Sequence, residues 1–63
     1  MYKVEIENAE GEVRYYSNGL EFENLSEAEE RMEFLWNMKA HTELYAAFRV
    51  VTVGGDLMSE LEC

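Results

Sequence analysis

The chain has 63 residues, 48% of them apolar and 13% aromatic, and its 14 carboxylates against five Lys and Arg give a net charge of −9. A length like this makes one domain with a thin core, burying about 60% of the surface the unfolded chain would expose, and the composition is too apolar for disorder. Such an acidic field repels DNA, RNA and anionic membranes, which excludes direct nucleic-acid binding and favours basic protein partners.

The N-terminal segment alternates, with Tyr2, Val4 and Ile6 on one face and Lys3, Glu5 and Glu7 on the other, the pattern of a half-buried strand. Asn8-Ala9-Glu10-Gly11 supplies turn chemistry, and Val13 and Tyr15 resume the alternation, so the spacing predicts a β-hairpin. After a second break at Asn18-Gly19, Leu20 and Phe22 alternate with Glu21 and Glu23 in an extended piece, either a strand or a strapped loop.

Ser26-Glu27-Ala28-Glu29 fits a capping box, in which the serine hydroxyl caps a free amide and Glu29 bonds back to the Ser26 amide. The carboxylates of that first turn suit the positive end of a helix dipole, and Lys39 and His41 suit the negative end, which predicts a helix from about Glu27 to Lys39 or His41. At 100° per residue, Ala28, Met32, Leu35, Trp36 and the stem of Lys39 share the stripe that packs on the sheet, opposite Glu30, Glu33 and Asn37.

The run from Tyr45 to Val53 is β-branched and aromatic and apolar on both alternating faces, which predicts a central strand or one covered by a second subunit. Gly54-Gly55 ends it. Residues 56–63 form an acidic tail in which Leu57 and Leu61 lie four apart: a docked helical turn, a partner-binding peptide or a frayed end. The expected architecture is α+β, in the order β-β-α-β, with one helix on a mainly antiparallel sheet of three or four strands; residues 1–55 make a single domain and 56–63 its tail.

The residues offer little chemistry. One His, one Cys at the last position and carboxylates scattered on solvent faces do not make a metal site, and the Glu29 and Glu33 pair reads as a solvated helix face. His41 has no nucleophile with a recognisable motif beside it, and Gly54-Gly55-Asp56 lacks the pattern of a phosphate loop. No catalytic residue, cofactor or metal is expected. A lone Cys63 leaves no intrachain disulfide, and there is no leader pattern and no apolar run near 20 residues, so the reading is a soluble cytoplasmic protein.

The expected sites are therefore surfaces. Phe34 points well off the apolar stripe, close to Glu27 and Glu30, with Met38 one turn later, so it is either a partner anchor or a core residue under a wrapped sheet or tail. On the outward face of the hairpin, Lys3, Glu5, Glu7, Arg14 and Tyr16 would sit beside Arg49, Val51 and Val53, making a mixed patch with an apolar centre for a foreign partner or a second copy. The carboxylates of both regions, among them Glu5, Glu7, Glu27, Glu30 and Glu33, can imitate the phosphates of DNA in the groove of a nucleic-acid enzyme.

The strand-rich beginning, the helix opening Leu25-Ser26-Glu27-Ala28-Glu29 and reaching Trp36, and the closing Phe48-Arg49-Val50-Val51 cover most of the chain. In this layout the chain resembles the small proteins by which bacteriophages disable host machinery, including phage inhibitors of bacterial RNA polymerase and anti-CRISPR proteins. The resemblance implies a phage or mobile-element inhibitor or adaptor in the bacterial cytoplasm, without enzymatic activity, that blocks a basic surface of a nucleic-acid-handling protein. The alternative is a homo-oligomeric structural or regulatory module that self-associates through its apolar strand face.

Overall fold

The alternating N-terminal segment becomes strand β1 (Tyr2–Asn8), followed by β2 (Val13–Tyr15), the helix α1 (Leu25–Trp36), β3 (Tyr45–Thr52) and β4 (Leu57–Glu62), in a computed structural model that describes residues 1–38 and 45–62. The strands form one antiparallel sheet in the order β2-β1-β3-β4, and α1 packs across β1 and β3 on one side of it. This is the expected α+β fold, one helix on a sheet of four strands, with β3 in the interior position that its two-sided apolar pattern requires.

Under the helix, Val4 and Val50 are directly paired and fully buried, and Phe48 lies in the next row between Ile6 and Leu61. Ala28 and Met32 close on them from α1, with Leu25, Leu35 and Trp36 at the margin and the Trp36 ring edge-on to Phe48 at 6.2 Å. The helical stripe thus meets the sheet as its spacing predicts. Burial contributes roughly 1.5–3 kcal/mol for each large apolar side chain, a large share of the stability open to so short a chain.

Two turns of one design set the hairpin registers. Asn8 and Thr52 each donate one backbone bond across a three-residue loop: Asn8 N–H to Glu12 O at 2.9 Å, and Thr52 N–H to Asp56 O at 2.8 Å. In each, the polar side chain at the first position accepts the amide four residues on, Glu12 N to Asn8 Oδ1 at 2.9 Å and Asp56 N to Thr52 Oγ1 at 3.0 Å. The residue before that amide must take positive φ, +90° at Gly11 and +100° at Gly55, where a Cβ would be strained whatever the space around it.

The first turn reverses one sequence expectation. Pairing Glu7 with Val13, Ile6 with Arg14 and Glu5 with Tyr15 puts Arg14 on the helix side and Val13 and Tyr15 on the other, so the outward residues of β2 are the apolar ones. Tyr16 leaves the strand altogether. A tight turn at Tyr16–Asn18, with Ser17 and Asn18 at φ +51° and +60°, folds its ring back to pack against the core. The Leu20–Phe22 piece is a single bridge, in which Tyr2 and Phe22 exchange both backbone bonds at 2.9 and 2.7 Å.

The helix is also shifted. It starts at Leu25 behind Asn24, whose amide donates to Glu27 Oε1 at 2.7 Å, in place of a box between Ser26 and Glu29. Glu29 is engaged elsewhere, accepting a hydrogen bond from the Ser59 hydroxyl of β4. The helix ends at Trp36 with Asn37 N–H on Glu33 O, and the end expected at Lys39 or His41 lies outside the described residues.

Residues 57–62 are neither a helical turn nor a frayed end. They form β4, paired along β3 from Ala47 with Glu62 to Val51 with Leu57. Met58 is an extra residue between the Val50–Ser59 and Val51–Leu57 pairs, and this bulge sends Leu57 and Leu61 to opposite faces. Leu61 packs against the core, and Leu57 is 57% exposed.

Candidate partner-binding surfaces

The sheet face away from α1 carries a row of direct neighbours across four strands: Tyr15, Glu5, Arg49 and Glu60. Opposite charges in register attract. The Arg49 guanidinium binds Glu7 and Glu60 at 2.6 Å each and Glu5 at 3.1 Å, with its side chain 20% exposed. The hydrogen bonds Arg49 donates to Glu7 and then Glu60, opposed by partial burial and helped by the bond to Glu5, hold the Arg49 pKa well above its ordinary value. The centre of this face is an ion cluster, and not the apolar patch its sequence suggests.

Apolar side chains surround that cluster. Ala47 and Val51 are buried although no helix covers them, Ala47 in register between Glu7 and Glu62 and Val51 between Lys3 and Leu57. Met1, Val53 and Leu57 are exposed at one end, and Val13 and Tyr15 on the β2 side, where the Lys3 ammonium lies 5.2 Å from the Tyr15 ring centre. Glu5 and Glu7 therefore act inward, as ligands of Arg49, more than as part of a free acidic surface.

The outer ridge of α1 is built differently. Glu27, Arg31, Phe34 and Met38 follow one another at helical spacing, with Glu30 beside them. Phe34 is 52% exposed and Met38 48%, so neither is covered in the way the core alternative requires. The Arg31 guanidinium lies 5.3 Å from the Phe34 ring centre and 5.5 Å from that of Tyr16, fastening the ridge to the turn after β2. Phe22, Glu27, Glu30, Arg31 and Phe34 line an open groove between the helix and the Phe22 bridge.

Of the expected partner residues, Glu27, Glu30, Glu33 and Phe34 lie exposed on α1 and Met38 just past its end, Glu5 and Glu7 belong to the ion cluster, and Tyr16 is half-buried beneath Arg31. Arg31 escapes a sequence reading because its aromatic neighbours come from different elements. The three carboxylates around Arg49 escape it for the same reason, although charge in register on β1 and β3 is a usable signal once the pairing is known.

Among the described residues, no group of three or more His, Cys, Asp or Glu is placed to hold a metal ion, and no helix is long and apolar enough to cross a membrane. The expected neighbourhood of His41 lies outside the described residues, as does Cys63. The chain matches no known protein-family model, no curated protein and no solved structure.

Proposed function

We propose that this chain is a non-enzymatic inhibitor or adaptor, of the phage or mobile-element kind, that seats the outer face of α1 on a basic surface of a bacterial nucleic-acid-handling protein. The observation that carries this reading is Phe34, an aromatic ring 52% exposed on a helix whose other outward positions include Glu27, Glu30 and Glu33. An apolar anchor ringed by charge is the composition of a binding hot spot within a steering field. A net charge of −9 would speed encounter with a basic target and would let the domain occupy a site otherwise taken by phosphates.

The test is capture from bacterial lysate on the immobilised domain at low and high salt, followed by a nucleic-acid displacement assay on the captured protein. A salt-sensitive, basic target that loses its nucleic acid to the domain, but not to a Phe34→Ala variant, is the expected result. Capture that ignores both salt and Phe34, or a target with no basic surface, would overturn the proposal.

A second reading has its own observation, the uncovered sheet face with Met1, Val53 and Leu57 exposed at one end. Two copies back to back would bury these side chains. Sedimentation that shows a concentration-dependent mass, abolished by Leu57→Glu, would support this module over the inhibitor; a constant monomer mass would remove it.

A further inference from the structure

We infer that the groove between Phe22 and Phe34 is the seat for an arginine side chain of a basic protein partner. This rests on the proposal that the outer face of α1 meets such a protein, and it specifies the chemistry of the contact.

Carboxylates and aromatic rings also meet in a second groove beside β2, where Glu12 and Arg14 line it with Tyr15 and Tyr16, but there the carboxylate already faces a cation. Glu5, Glu7 and Glu60 are matched by Arg49, Glu12 lies 3.7 Å from Arg14, and Glu29 holds the Ser59 hydroxyl. Glu27 takes one neutral hydrogen bond, from Asn24, and neither Glu27 nor Glu30 has a described cation within ion-pair distance. These two carboxylates line a groove with the rings of Phe22 and Phe34 and with Arg31, whose guanidinium lies on Phe34 and makes no described ion pair with either of them.

The groove already shows how it treats a guanidinium. Arg31 lies against Phe34 and Tyr16 and pairs with no described carboxylate, so the ring surface accepts a planar cation while the charges of Glu27 and Glu30 stay unanswered. An incoming arginine can satisfy both features at once, stacking on the open part of Phe34 and forking to a carboxylate. Lysine offers a compact, strongly hydrated charge and loses more on leaving water, so the seat discriminates between the two.

Two peptides of equal charge, hexa-arginine and hexa-lysine, titrated into the full chain at one ionic strength and followed by NMR, test this. Hexa-arginine should bind about three- to fivefold more tightly, with the largest shifts at Phe22, Glu27, Glu30 and Phe34. Phe34→Leu, which keeps the side chain apolar, should abolish the preference and leave the fold intact by circular dichroism. Glu27→Gln with Glu30→Gln should weaken both peptides together. Equal affinity of the two peptides, or shifts centred on Glu60 and Glu62, would overturn the inference. A target whose capture requires Phe34, together with no preference of the domain for hexa-arginine, would sink the arginine seat alone; arginine preference with no target captured would sink the inhibitor reading alone.

Discussion

The two faces of one sheet are held by different physics. Toward α1 the alternating residues Val4, Phe48 and Val50 are sealed by a helix, and their stabilisation scales with area removed from water. Away from α1 the intervening residues of the same strands meet no second layer among the described residues, and Arg49 instead draws Glu5, Glu7 and Glu60 over the strands, with Ala47 and Val51 buried among them. One α-helix among the described residues is material for one apolar layer. The sheet's other face is closed by long charged side chains whose stems cover apolar surface and whose heads stay at the edge of water.

Deleting the key residue of each face is the sharpest way to break this comparison. Phe48→Ala opens a cavity in the sealed layer and should cost about 3–5 kcal/mol, enough to leave the chain largely unfolded in a urea melt at 25 °C. Arg49→Ala should cost less, about 2 kcal/mol, because the three carboxylates left behind keep 19%, 31% and 29% of their side-chain surface exposed and can rehydrate. If the order reverses, the open face and not the covered one is the main source of stability.

A smaller effect tests the tie that joins the layers. Ser59→Ala removes the hydroxyl that Glu29 accepts and should lower the melt midpoint by an amount equivalent to about 1 kcal/mol. The smallest effects belong to side chains neither face uses for stability: Phe34→Ala and Leu57→Ser should each stay within about 0.5 kcal/mol of the parent. A loss of 2 kcal/mol or more at Phe34 would return it to the core and remove the anchor on which the proposed function stands.

Much of the covered face was legible in the sequence because burial on one side leaves a clean period. Tyr2, Val4 and Ile6 alternate, Ala28, Met32 and Leu35 fall on one stripe, and β3 is apolar on both sides because Ala47 and Val51 are buried even without a helix over them. What could not be read depends on pairings set elsewhere. Val13 and Tyr15 look like inward residues until the Asn8–Glu12 closure puts Arg14 opposite Ile6. Leu57 and Leu61 look like one helical face because the bulge at Met58 erases the alternation of β4.

The candidate site divides the same way. An exposed Phe34 among carboxylates follows from helical angles alone, which are local. Its contact with Arg31, three residues back on the same helix, is local too, whereas the link through Arg31 to Tyr16 needs the turn after β2 to arrive beside the helix. The helix start is misread for a related reason: the helix already begins at Leu25, and Glu29 accepts from the distant Ser59 in place of the Ser26 amide.

The twin turns at Asn8–Glu12 and Thr52–Asp56 also bear on the order of folding. Each closes its hairpin over three residues and with its own side-chain acceptor, so both hairpins can form locally within microseconds. The central pairing of β1 with β3 joins Tyr2 to Thr52 and must wait for the helix-bearing segment between them to close a long loop. On loop-closure grounds the slow step is the encounter of the two hairpins, since it is the one pairing that has a long loop to close.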